Sequence, residues 1–318
     1  MLDGYIQFCY AVSIEGVRVM ELRVLQYFLA VTREQSISGA AEALHLSQPT
    51  LSRQIKDMED ELGKQLFIRG NRNITLTEEG MILRKRAEEI LELVKKAEDE
   101  ISLSAESVAG DITIGAGETD GVRFLTKAAQ EVQKNFPLVH FHIISGDRVT
   151  VTESMDKGLI DFGLLFGKVD TSKYEYIKLP YKDTWGVLMR RDSPLAKKET
   201  ITPEDLWDKP LIISRQEFYG TDLQEFLKCK KEKLNIVATY SLLFNGSLMV
   251  DEGIGYALCL DHIINVTGDS NLCFRSFFPK QEAEMCIAWK KYQVLTKAAE
   301  KFLQKFQEII SSELFSLS

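Results

Sequence analysis

The sequence predicts a chain of mixed class, an all-α N-terminal unit closed by a short hairpin and followed by a long helix and an α/β region. Three observations carry that expectation. Residues 20–76 form a run of short helical patterns punctuated by Ser, Pro and Gly, and residues 77–107 keep a helical period with no proline. From Asp111 onward, short Val/Ile/Phe-rich runs alternate with amphipathic helices, the pattern of α/β layering. The 318 residues, 45% hydrophobic and 27% charged, suit a globular chain of about two domains with a full core. No segment reaches the ~18 consecutive apolar residues of a membrane helix, because Asn245 and Gly246 break the longest uncharged stretch.

Residues 1–19 lack a basic start and carry Asp3 and Glu15, so a secretory signal is not expected. They read as an upstream extension, with Met20 as a second start. The five cysteines (Cys9, Cys229, Cys259, Cys273, Cys286) are odd in number and never in CxxC spacing. They predict a reduced, cytoplasmic chain without a zinc framework, each cysteine being a small core residue. The net charge of −8 argues by itself against a nucleic-acid partner. However, residues 20–76 balance seven Lys/Arg against seven Asp/Glu, so the acidic excess lies elsewhere.

The first helix is predicted from Leu22, Leu25, Phe28, Leu29 and Thr32 on one face, and the second, 39–44, from Ser38 as its cap with Ala40, Ala41 and Leu44 inward. Ser47 then caps a third helix with Pro49 in its first turn. Leu51, Ile55, Met58 and Leu62 form its buried stripe, and Gly63 ends it. At 100° per residue Pro49, Arg53 and Lys56 lie opposite Leu51, with Ser52 on the flank. Small polar residues at the start of such a helix let it seat deeply in a DNA major groove, where Arg53 can pair with a guanine. Asp57, Glu59, Asp60 and Glu61 come later and are expected to face away from phosphates or lie beyond them. Residues 66–76 read as a hairpin whose polar turn could send Arg72 into a minor groove.

The run from Ala40 through Leu46-Ser47-Gln48-Pro49-Thr50-Leu51-Ser52-Arg53-Gln54-Ile55, with Glu59, Leu62-Gly63, Leu66-Phe67-Ile68-Arg69 and Leu76-Thr77-Glu78-Glu79-Gly80, closely resembles the LysR-type transcriptional regulators. The resemblance covers roughly sixty residues and is much weaker beyond them. It implies a winged helix-turn-helix, a dimerising linker helix, and an effector domain of two Rossmann-like lobes similar to a type II periplasmic binding protein. Gln48, Pro49, Thr50, Ser52 and Arg53 would fall on the base-reading helix and Arg72 on the wing. Ser47, Lys56 and Arg69 would be phosphate contacts. It also implies a start at Met20, homodimers or homotetramers, and RNA polymerase as a candidate further partner.

In the long helix, Leu83, Ala87, Ile90, Val94, Ala97 and Ile101 are spaced as a heptad seam, and residues 77–107 would span about 45 Å. Such a seam predicts a two-fold dimer and hence an interrupted inverted repeat in double-stranded DNA. A hinge is expected at 108–110, and the effector-binding region at 111–318. Its first lobe is expected to take 111–181 and 261–318, its second 182–260. Strands are expected at 111–115, 138–145, 161–166 and 174–179, with a helix at 121–135 completing a βαβ unit. A crossover near Tyr181-Lys182 enters a second lobe with strands at 185–189, 211–214, 236–240 and 256–260. The strands 272–278 and 284–289 and the helix 296–314 rejoin the first. The cleft between the lobes is the default ligand site. Thr119, Ser145 and Phe166 end first-lobe strands and would face Ser214, Arg215 and Asn245. The Thr119 hydroxyl at a helix start could hold a carboxylate, with Arg215 supplying charge, whereas Glu118 and Asp120 complicate an anion and could instead favour an amine-bearing or zwitterionic ligand.

Enzyme readings find little support. The loop Gly115-Ala116-Gly117-Glu118-Thr119-Asp120-Gly121 has the wrong spacing for a dinucleotide, and two carboxylates would repel a pyrophosphate. As a nucleophile elbow it would need His140 or His142 as base, and neither has an acid partner in view. His45 and His262 are isolated, and no metal or cofactor set is apparent. The expected function is a DNA-binding regulator controlled by a small-molecule effector. The alternative is a small-molecule sensor without DNA binding, which the polar and basic residues between Ser47 and Arg72 oppose.

Overall fold

The computed structural model of the chain describes residues 20–70, 73–102, 108–215, 226–227 and 234–317. It divides into two compact units, 1–99 and 100–318. The expected extension 1–19 and the wing residue Arg72 lie outside the described residues, as do 103–107 of the long helix.

In the first unit α1 (Leu22–Glu34), α2 (Ile37–Ala43) and α3 (Gln48–Leu62) surround a core of Leu25, Phe28, Ala40, Leu51, Ile55 and Met58. Ser36, not Ser38, caps α2, its hydroxyl accepting the Gly39 N–H at 3.2 Å. Ser38 falls inside α2 as its second residue, and the cap falls to Ser36, which is left in extended geometry. Leu22 and Leu62 are exposed rather than inward, since each stands at the open end of its helix. Ser47 caps α3 as expected, accepting the Thr50 N–H at 3.3 Å, and Gly63 ends it at φ 64°. The strands β1 (Phe67–Arg69) and β2 (Ile74–Leu76) pair antiparallel, and Phe67 meets Phe28 with ring centroids 5.1 Å apart. In α4 (Glu78–Ser102), Gly80 passes so close to the hairpin that a Cβ there would stand 2.2 Å from the Leu66 carbonyl oxygen. Only glycine permits that approach.

In the second unit β3 (Gly110–Ala116) pairs parallel with β4 (Val139–Ser145) and β5 (Phe162–Phe166), with α5 (Val122–Asn135) as crossover. This is the expected βαβ unit. α6 (Arg148–Asp156) packs beside β5. β6 (Tyr174–Arg190) is one continuous strand of 17 residues. Its first half pairs with β11 (Glu282–Lys290), and its second half pairs with β9 (Tyr256–Leu260) and β10 (Leu272–Ser276). The expected crossover is therefore a shared strand. The second lobe adds β7 (Leu211–Ser214), β8 (Ile236–Tyr240) and α7 (Leu243–Asp251). β10 was expected in the first lobe but pairs with Gly186–Arg190, so the chain returns one strand later. Its apolar run suits either sheet, and pairing rather than composition decides. Finally, α8 (Lys297–Leu317) lies on the first lobe, where Phe302 and Phe306 join Ile112, Leu125 and Phe162 in its core.

Candidate DNA interface and effector cleft

The stripe Leu51, Ile55 and Met58 is buried, and its burial fixes the rotation of α3. Gln48, Pro49, Thr50, Arg53 and Lys56 are thereby left exposed, and Ser52 is half-buried. The turn into α3 is tight. His45 adopts φ 55°, and the Leu46 N–H donates to the Ala41 carbonyl at 2.8 Å. The Ser47 hydroxyl, besides capping, lies 2.7 Å from Thr50 Oγ1. The start of α3 is thus a small, ordered and solvent-facing polar surface, of a kind that can approach a base edge without steric hindrance.

Of the acids expected to face away from phosphates, Asp57 does not, and Glu59 does so by turning inward. Asp57 shares the face of Arg53, with Oδ2 3.7 Å from Nε across one helical turn. At this spacing a carboxylate cannot face away from its cation. Glu59 is turned into the protein. Its Oε1 accepts the N–H groups of Leu66 and Phe67 at 2.8 and 3.2 Å, and Oε2 lies 3.9 Å from Arg69. It anchors the start of the hairpin, a role for which the sequence offered no local signal. Lys56 has no acidic partner among the described residues.

The expected heptad seam is split. Ala87 is fully buried and Leu83 packs with it against the core of the first unit, so neither is free for a partner helix. Heptad spacing specifies one face without saying whether that face meets its own domain or another. Further along, Ile90, Leu93 and Ile101 are exposed, Ile101 at 83%. Ala97 is exposed beside them and Val94 is half-buried.

In the second unit the carboxyl ends of β3, β4 and β5 lie side by side through their parallel pairing. Ser145 is exposed and Phe166 half-buried. Across the cleft Ser214 is half-buried, while Arg215 and Asn245 are exposed. Asp147, which caps α6, is held below the usual carboxylate range mainly by the Thr150 N–H, with the Arg215 guanidinium adding to the effect. Glu118 accepts the N–H of Leu243 at the start of α7, a contact between the lobes. Thr119 is not the free hydroxyl that was expected. It is buried and donates to Asp183 Oδ2, while its oxygen accepts the Gly121 N–H at 2.9 Å. A hydroxyl committed in this way cannot offer its proton to a carboxylate. Nor can it serve as a nucleophile through His140 or His142, and His142 lies 3.5 Å from Asp111 instead.

Two family models match the chain. Residues 22–81 match the bacterial regulatory helix-turn-helix protein of the lysR family, and residues 105–310 match the LysR substrate binding domain. The chain belongs to the LysR family. It is a DNA-binding transcriptional regulator with an effector-binding domain, and not an enzyme. Among curated LysR relatives, the chain is 28% identical to the regulator BsdA of Bacillus subtilis, over 90% of this chain and all of that one. It is also 28% identical to HcaR, the Hca operon transcriptional activator of Escherichia coli, over 92% and 99%. Full-length CbnR, solved in a complex with its target DNA, has the same fold at TM-score 0.70 and 18% identity, covering 91% of this chain and all of that one. No helix among the described residues of this LysR regulator is long and apolar enough to cross a membrane.

Proposed function

We propose that the chain is an effector-responsive, cytoplasmic regulator that binds an interrupted inverted repeat of double-stranded DNA as a homodimer, assembling further to a homotetramer. Gln48, Pro49, Thr50, Ser52 and Arg53 read bases, Ser47, Lys56 and Arg69 hold phosphates, and Arg72 enters the minor groove. The observation that carries this reading is the exposed polar face of α3, whose rotation is set by the buried Leu51–Ile55–Met58 stripe. Apolar and small residues on the free side of α4, from Ile90 through Leu93 and Ala97 to Ile101, form the dimer seam. Leu83 and Ala87 are excluded from it. RNA polymerase is the partner through which a bound regulator acts on transcription.

The inter-lobe cleft takes the small-molecule effector between Ser145 and Phe166 on one side and Ser214, Arg215 and Asn245 on the other, with Thr119 beneath. The shared strand β6 and the Glu118–Leu243 contact tie one lobe to the other. A ligand that changes the separation of the lobes therefore changes their arrangement as a unit. A gel shift with the intergenic DNA upstream of the chain's own gene tests the DNA-binding claim. A discrete, salt-sensitive complex supports it, and binding no better than to random DNA would leave a sensor without an operator.

A further inference from the structure

The strand that joins the two lobes carries a buried carboxylate that no described cation balances. Asp183 stands on β6 where the strand passes between lobes, opposite Ala283 of β11, while Trp185 two residues on is opposite Leu260 of β9. Its side chain is fully buried. Thr119 donates to Oδ2, and Oδ1 has no hydrogen-bond partner among the described residues. The Tyr181 hydroxyl approaches the carboxylate without satisfying that oxygen. Asp261 and Asp120 add negative field, and Glu118 is the chain neighbour of Thr119. No described Lys or Arg pairs with Asp183. Its acidic neighbours have their own partners, Arg123 on Asp120 at 2.6 Å and His262 on Asp261 at 3.1 Å.

An ionised carboxylate in such a place is costly unless paired, and an unmet acceptor adds to the cost. Burial accordingly raises the Asp183 pKa, a shift to which Asp261 and Asp120 contribute. Building on the cleft reading above, we propose that the effector is a small molecule bearing a protonated amine, anchored by its ammonium group on Asp183 Oδ1. An ammonium supplies both things the site lacks, a hydrogen-bond donor and a positive charge. A carboxylate ligand would supply neither, and would meet Glu118, Asp120 and Asp183 as like charges. A buried water would supply the donor alone. Because Asp183 is enclosed, a bound amine must displace a neighbouring segment, and the loop holding Thr119 and Glu118 touches the carboxylate directly. The same loop makes the Glu118–Leu243 contact between lobes. Recognition at the hinge is thus coupled to lobe arrangement through one short segment.

Calorimetry and thermal shift on the full-length protein test this with benzylamine, 1,4-diaminobutane and agmatine against benzoate, succinate and glutarate. At least one amine is expected to bind, tighter at pH 8 than at pH 5, because the carboxylate must be ionised. The Asp183→Asn variant, shown to be folded by circular dichroism, is expected to bind it at least tenfold more weakly. The wild-type pH profile keeps the test valid even if that variant fails to fold. Silence from every amine, or amine binding indifferent to Asp183→Asn, overturns the proposal. If only acids bind, and Asn245→Ala or Phe166→Ala weakens them, the cleft reading stands and the amine class falls. Binding that ignores Asn245 and Phe166 overturns the cleft reading itself.

Discussion

Arg53 is the side chain on which the proposed DNA contact depends most. It is exposed on α3 and held loosely by Asp57 at 3.7 Å, an ion pair weak enough in water to exchange for a base edge or phosphate. Arg53→Ala is expected to remove a bidentate contact worth about 1–3 kcal/mol of discrimination between bases, read as loss of a footprint with the fold intact. Asp57→Ala should act in the opposite sense and tighten binding, since it removes both a competitor for Arg53 and a like charge near phosphate. Asp183 yields a pH prediction at the same scale. Burial raises its folded-state pKa above the ordinary carboxylate value, so the folded state binds the proton more tightly than the unfolded one. Its contribution to stability is then fully present below the unfolded pKa and is lost as pH rises through the folded value. Denaturant titrations of wild type and Asp183→Asn side by side from pH 4 to 8 should show the variant gaining stability relative to wild type as pH rises. A difference between the two proteins that does not change with pH would contradict the assignment.

At the level of elements, α4 carries the sharpest contrast between its two sides. Leu83 and Ala87 belong to the core of their own unit, whereas Ile90, Leu93 and Ile101 are open to solvent. Ala87→Asp should therefore destabilise the DNA-binding unit by several kcal/mol, as an unpaired charge in a core does. Ile90→Asp should leave that unit folded and make the protein monomeric in sedimentation at micromolar concentration. If Ile90→Asp stays dimeric, the seam is elsewhere. Much at this scale was legible in the sequence. The Ser47 cap, Pro49 in the first turn, the Leu51–Ile55–Met58 stripe and the Gly63 terminus each follow from local rules that tertiary structure did not override. The expectations that differed needed information no local pattern holds. The heptad could not say which partner Leu83 meets, and the apolar run of β10 could not say which sheet it joins. Glu59 reads as one of four acids near a helix end until the hairpin folds back onto it. Asp183 lies inside a strand-like run and gave no sign that it would be buried among acidic and hydroxyl groups with no described cation on it.

For the whole molecule the question is how a chain of net charge −8 holds a polyanion. The charge resides outside residues 20–76, whose formal charges balance. Affinity must then come from a few placed cations rather than from the overall field. Binding should fall steeply with salt, and Lys56→Ala should lower the slope by about one counterion, close to 0.9 in the log–log plot. An unchanged slope would remove Lys56 from the phosphate contacts.

Footprinting wild type and Arg53→Ala side by side on the upstream intergenic DNA decides whether the exposed face of α3 reads sequence. Wild type is expected to protect two half-sites about one helical turn or a multiple apart, and Arg53→Ala to protect none at the same protein concentration. Identical protection by both proteins would contradict that role of α3.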